Sequence, residues 1–217
     1  MPRKRVLIVY YSYTQQTKTQ LKKLVSGLEN WDIEVVLERL EPYAPYEFPF
    51  RSNWRLAVAM VSTFFCRTMT IRPLSANCQG WWDCIIVAGP TWSYNPSGPV
   101  LDFLRRYGQT LCAGKTVVPL ISCRSYWRWH YFLLRQKLLR YGCTVGKPIV
   151  YMHPHREPWR FLGLLLQLRG KVVPRQYSWW KKRYPAYGHS REQGEQALRT
   201  GKELGAWLSG ENVRYWT

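Results

Sequence analysis

The sequence predicts an α/β fold, a doubly wound parallel sheet of five strands with helices on both faces and two insertions. Three observations lead there. Short β-branched or wholly apolar runs alternate with stretches of helical periodicity, the connections after the first, third and fourth runs are long and chemically loaded, and two segments break the alternation.

Val6-Leu7-Ile8-Val9 is the first strand, and Ser12 to Thr17 is a polar loop. Leu21, Leu24, Val25 and Leu28 then recur at helical spacing, and Asp32 to Leu40 closes a right-handed crossover as the second strand. Cys84 to Ala88 is a continuous apolar run ending in Gly89-Pro90, as a central parallel strand covered on both faces requires. The helix after it presents Val100, Leu101, Leu104 and Tyr107, and Thr116 to Ile121 forms the fourth strand. The next helix has a stripe of Trp127, Tyr131, Leu134, Leu138 and Tyr141. Thr144 to Met152 is the fifth strand, with Pro148 suited to an irregular position. Ser190-Arg191-Glu192-Gln193 matches a capping box and opens a last helix, whose buried stripe is Ala197, Leu198, Gly201, Leu204, Gly205 and Leu208; its small residues suit close approach to the sheet. One domain, 1–217, is expected, with insertions at about 42–80 and 153–189.

Composition narrows the partners. The 217 residues carry 32 Lys and Arg against 13 Asp and Glu, a net charge of +19, with 46% apolar and 16% aromatic residues. That is too apolar for a disordered chain, and its field attracts anionic headgroups, nucleic acid or negatively charged small molecules. No run approaches the ~18 apolar residues of a membrane span, and the basic stretch before Val6 reads as the approach to a strand rather than a secretory leader. The six cysteines form no CxxC pair, so reduced thiols in a cytoplasmic protein are expected. His153 and His155 have no evident third ligand, and no metal is expected. Between Arg156 and Arg183 eight basic residues face Glu157 alone, interleaved with Trp159, Trp179, Trp180 and a leucine run. Such a segment suits an anionic membrane surface, or packing against the other insertion, Trp54 to Ile71, as a lid or a dimer interface; nucleic acid leaves Leu164-Leu165-Leu166 unexplained.

Ligands of open parallel sheets bind beyond the carboxyl ends of the strands. Ser12, Thr14, Gln15, Gln16 and Thr17 deliver hydroxyls to a helix N-terminus, where backbone N–H groups can hold a phosphate. Pro90, Thr91, Trp92, Ser93 and Tyr94 follow the third strand, with two aromatics on which a planar ring could stack. Ser122, Cys123, Arg124 and Tyr126 follow the fourth, Arg124 offering a cation to a ring edge or phosphate. His130 and His189 have no visible partner and receive no role.

In these three loops the chain resembles the flavodoxin-like, FMN-binding superfamily. Ser12, Thr14 and Thr17 stand at the hydroxyl positions of that family's phosphate loop, Gly89 to Tyr94 matches its isoalloxazine loop, and Ser122 to Tyr126 its third. Tyr46 to Phe50 and Cys123 to Trp127 look like flavodoxin-like proteins of dialkylresorcinol biosynthesis. The resemblance implies an FMN-dependent oxidoreductase passing electrons from NAD(P)H to a quinone-like or hydrophobic aromatic acceptor, homodimeric, cytoplasmic or peripheral at a membrane. Flavodoxin shuttles are strongly acidic, and +19 disfavours that role. Gln15 stands where the family usually has Gly, and its side chain is expected to crowd the backbone around a phosphate. The second reading is therefore a flavin-free accessory or ligand-binding protein on the same scaffold.

Overall fold

The computed structural model describes residues 3–154, 157–171 and 189–211. Its elements are β1 (Lys4–Tyr10), α1 (Gln16–Leu28), β2 (Ile33–Arg39), α2 (Asn53–Phe64), a 3-10 turn (Ala76–Cys78) and β3 (Cys84–Trp92). They continue with the two-residue β4 (Asn95–Pro96), α3 (Gly98–Cys112), β5 (Thr116–Cys123), α4 (Trp127–Arg140), β6 (Thr144–Val145), β7 (Ile149–Met152), α5 (Trp159–Leu168) and α6 (Arg191–Leu208). The sheet runs β2-β1-β3-β5, with β6 and β7 both on the far side of β5, and every pair but β3 with β4 is parallel. The expected fifth strand is thus divided: Gly146, Lys147 and Pro148 step out of the ladder, because Pro148 has no N–H to give it.

Two apolar layers sandwich the sheet. Val6, Ile8, Ile86, Val118 and Leu120 face α1 and α6, while Leu7, Val9, Ile85, Val87 and Val117 face α3, α4 and the buried Ile71 and Trp82. Both faces are covered, which is why these strands read as unbroken apolar runs. The capping box of α6 is present, with Ser190 Oγ accepting from the Gln193 N–H and Gln193 Oε1 accepting from the Ser190 N–H.

The small residues of α6 do a different job from the expected one. They set the helix against α1 rather than against the sheet: a methyl group on Gly201 would collide with the Leu24 carbonyl, and one on Gly27 with that of Leu198. The α4 stripe also differs. Its fully buried members are His130, Leu134 and Leu138, with Tyr131 only half-buried, because the histidine finds a hydroxyl where an indole would find none. That hydroxyl is Thr91 Oγ1, 2.8 Å from His130 Nδ1.

The first insertion leaves and rejoins the body as a narrow ladder, with the Arg72 N–H donating to the Glu41 carbonyl and that of Tyr43 to Thr70. Its return is fixed by Asp102, a fully buried carboxylate that accepts from the Ile71 N–H (2.9 Å) and pairs with Arg105 (2.7 Å). From the second insertion α5 packs Leu165 and Leu168 against Phe50, Leu56 and Ala59 of the first, and Phe50 donates its N–H to the Leu168 carbonyl. The basic run expected to mark a surface lies mostly outside the described residues.

Two predictions follow from this packing. Gly201→Ala gains about 1 kcal/mol of helix propensity, yet the collision is with backbone that cannot rotate away, so denaturant unfolding should show a net loss of about 1–2 kcal/mol. His130 is wholly buried and desolvation pushes it down to about 3. The unfolded chain therefore binds a proton near pH 6.5 that the folded chain refuses, and stability is lost as pH falls from 6.5 toward 3. Between pH 6 and 5 this costs up to ~1.4 kcal/mol per pH unit, and His130→Gln should shrink the measured slope, leaving the part contributed by the buried His189.

Candidate functional site

The three loops meet at the carboxyl edge of the sheet because β1, β3 and β5 are adjacent and in register, Tyr10 opposite Ala88 and Pro90 opposite Ser122. In the first loop Ser12 and Thr17 are buried, Thr14 is half-buried, and Ser12 Oγ accepts from the Lys18 N–H at 3.3 Å. The Gln15 side chain does not cap α1, and with the Lys18 amide taken by Ser12 Oγ the Gln16 and Thr17 amides are the ones that can meet an anion. Gln15 has a φ of 63°, in the left-handed region that glycine favours, and is an exposed residue at the edge of an adjoining cavity. Gln16 carries a buried Nε2 with no hydrogen-bond acceptor, a donor next to the helix start.

A cavity of about 540 Å³ opens beside this loop, between the N-terminal turns of α1 and α6. Thr14, Gln15, Gln16, Gln20 and Lys23 line one wall, His189 and Arg191 the other. Gln20 is almost wholly buried with its Oε1 unpaired.

The second loop is clamped to α2. Asn95 Nδ2 donates to the carbonyls of Thr63 (2.9 Å) and Phe64 (2.7 Å), capping that helix's C-terminus, and Ser93 Oγ sits 2.7 Å from Thr63 Oγ1. Trp92 does not stand open as a stacking platform. It is half-buried in a cluster of rings, 5.5 Å from Tyr11, 5.7 Å from Tyr13 and 5.5 Å from Tyr46, because the first insertion brings Tyr46 and Phe50 over it. Tyr13 ties this cluster down by donating to the Glu47 carbonyl, and burial raises its phenol far above the usual range. The exposed rings are Tyr94 and Tyr126, which face each other across the second and third loops at 4.7 Å. Pro90 and Thr91 form the half-buried end of β3.

In the third loop Arg124 is engaged by the second insertion. Its guanidinium pairs with Glu157 at 2.9 Å and lies over Phe161, fastening the start of α5. Cys123 is buried, its thiol pushed up to about 12 by desolvation, and is inert as a nucleophile. Ser122 has a partner that sequence reading missed: His189 Nε2 lies 2.8 Å from its Oγ, and His189 Nδ1 lies 3.2 Å from Gln193 Oε1. The Gln193 amide is oriented by the Ser190 N–H on Oε1 and by its own Nε2 donating to the Met152 carbonyl, so Nδ1 carries the imidazole proton and Nε2 accepts from Ser122. Burial lowers the His189 pKa, with the Gln193 bond opposing it, so the site favours the neutral ring. The signal in the sequence was His189 one position before a capping box, where a side chain can fold back onto the strand ends.

Among the described residues five non-glycine positions have left-handed backbone, and four of them, Gln15, Ser93, Tyr94 and Tyr126, stand in these three loops. Such conformations cost on the order of 1–3 kcal/mol each and gather where a structure holds its chain for a task.

No family model and no curated protein matches the sequence. Solved structures do. A flavoprotein from Lactobacillus acidophilus, solved in complex with FMN, superposes with a TM-score of 0.52 at 19% identity, over 68% of this chain and 92% of its own. Oxidised flavodoxin 1 from Bacillus cereus gives 0.52 at 13% identity over 96% and 99% of the two chains. A flavodoxin from the domain Archaea gives 0.51 at 13% over 94% and 99%. At such identities the likeness is one of architecture, and with the β2-β1-β3-β5 order it establishes that this chain has the flavodoxin-like fold.

Proposed function

We propose that the chain is an FMN-dependent oxidoreductase that takes electrons from NAD(P)H and passes them to a quinone-like or hydrophobic aromatic acceptor. The observation that carries the reading is the first loop, where Ser12, Thr14 and Thr17 stand about the start of α1 and Gln15, at a left-handed φ of 63°, is an exposed residue. The residues present fit the group. Ser12, Thr14 and Thr17 with the uncapped amides of α1 would hold the phosphate, and the unpaired Gln16 Nε2 supplies one more donor. When bound, FMN would supply the two-electron chemistry.

The chain's own part is to orient and to exclude water. Tyr94 and Tyr126 offer apolar faces for a planar ring, while the Tyr11, Tyr13, Trp92 and Tyr46 cluster makes a dry wall behind the second loop. Ser125 Oγ is buried without a partner in the third loop and would serve a polar ring edge. His189 holds the Ser122 proton, leaving that oxygen's lone pairs as acceptors. An aromatic, lipid-like acceptor is supported by this abundance of rings. The same rings would suit a flavin-free accessory protein, and flavin binding decides between the two.

Titrating FMN with the protein should quench flavin fluorescence, whereas an unquenched signal at high micromolar protein removes the cofactor and leaves the accessory reading. Thr17→Val should weaken FMN by several-fold, on the order of the 1 kcal/mol of one hydrogen bond, and leave riboflavin, which has no phosphate, unchanged. Gln15→Gly relieves about 1 kcal/mol of backbone strain and should keep or modestly tighten FMN binding. Binding that appears only in Gln15→Gly would instead mean that the glutamine had closed the site.

A further inference from the structure

Helix α2 is apolar on both sides. Its inner stripe of Leu56, Ala59 and Thr63 is buried against the body. At about 100° per residue the opposite side carries Trp54, Val58, Val61 and, one position beyond the helix end, Phe65. Their exposures are 74%, 44%, 56% and 75%. Phe64 is exposed beside them. A helix that is hydrophobic all round is normally buried, so this outer face is built to be covered.

Charge selects what covers it. Residues 51–72 contain Arg51, Arg55, Arg67 and Arg72 and no Asp or Glu. The acid beside them is Glu47, which reaches both Arg51 and Arg55 while those side chains stay largely exposed. A second copy of this chain would bring the same arginines and another +19 to the contact. An anionic bilayer presents negative headgroups directly above an apolar layer, with an interface that favours tryptophan. We propose that the outer face of α2 is a docking surface for anionic membrane, with Trp54, Val58, Val61 and Phe65 entering the headgroup boundary and the arginines meeting the headgroups.

The surface is rigidly presented, because Asn95 and Ser93 hold the last turn of α2 to the second loop. It is also continuous with the candidate site. Phe64 lies 6.5 Å from Tyr94, which meets Tyr126, so a docked protein would open its exposed tyrosines toward the bilayer, where an apolar acceptor is concentrated. Docking does not rest on flavin binding and is measured without added FMN.

The test is co-sedimentation of the whole chain with vesicles of phosphatidylcholine alone, or with about one-third phosphatidylglycerol. Binding to the anionic vesicles and not to the neutral ones is expected. Val58→Asn with Val61→Asn, two exposed positions changed without altering charge, should weaken that binding on the order of tenfold or more while the thermal melt stays in place. Leu37→Asn, exposed on β2, should leave it unaltered. Absence of binding to anionic vesicles overturns the proposal, and so does equal binding by the double variant, which would mean charge alone. A wild-type dimer in sedimentation velocity that the double variant dissociates assigns the face to a second copy, and equally overturns it.

Discussion

The carboxyl edge of this sheet is held together by backbone turned the wrong way. A non-glycine residue at positive φ crowds its Cβ against the following carbonyl, at about 1–2 kcal/mol, and Gln15, Ser93, Tyr94 and Tyr126 all sit there. Neighbouring contacts hold the strain in place. Ser93 is tied to Thr63 and the Met60 carbonyl, and Asn95 to the end of α2. Arg124 is fixed between Glu157 and Phe161 two residues before Tyr126. Remove those contacts and each loop would relax toward ordinary turns, taking the two exposed tyrosines out of register with the first loop.

This dependence explains why the insertions are part of the site. Without the first insertion Trp92 would keep Tyr11 and Tyr13 but lose Tyr46. Here Tyr46, Phe48 and Phe50 arrive from the first insertion and close around Trp92 and Tyr13, and the second insertion covers that layer through Leu165 and Leu168. Asp102 fixes the end of the first insertion to α3, with the Ile71 N–H as its buried donor. The arrangement runs as one chain of contacts from the core outward, and each layer orders the next.

What could be read in the sequence was whatever local chemistry decides. Continuous apolar runs in parallel strands, a capping box and a hydroxyl-rich loop before a helix depend on residues within a few positions of one another, and β1, α1, β3, β5 and α6 stand where those patterns put them. What could not be read depended on distant partners. Trp92 looked available because an exposed and a clustered indole have the same sequence, and its partners Tyr11 and Tyr46 lie in other segments. His130 and His189 looked idle because Thr91 and Ser122 are 39 and 67 residues away. The left-handed backbone of Gln15 was equally hidden, because a single residue type does not disclose its φ.

The charge gains meaning from the same geometry. A net +19 spread over the surface would indicate general attraction to anything anionic. Beside α2 it coincides with an exposed apolar stripe, and on the docking proposed above non-directional attraction would become oriented there, because apolar insertion requires a specific face to be turned toward the partner. A diffusing carrier that hands electrons to soluble proteins has no use for such a stripe. An oxidoreductase whose acceptor dissolves in lipid would use both features together, the charge to arrive and the aromatic edge of α2 to face the reacting end of the sheet toward the bilayer.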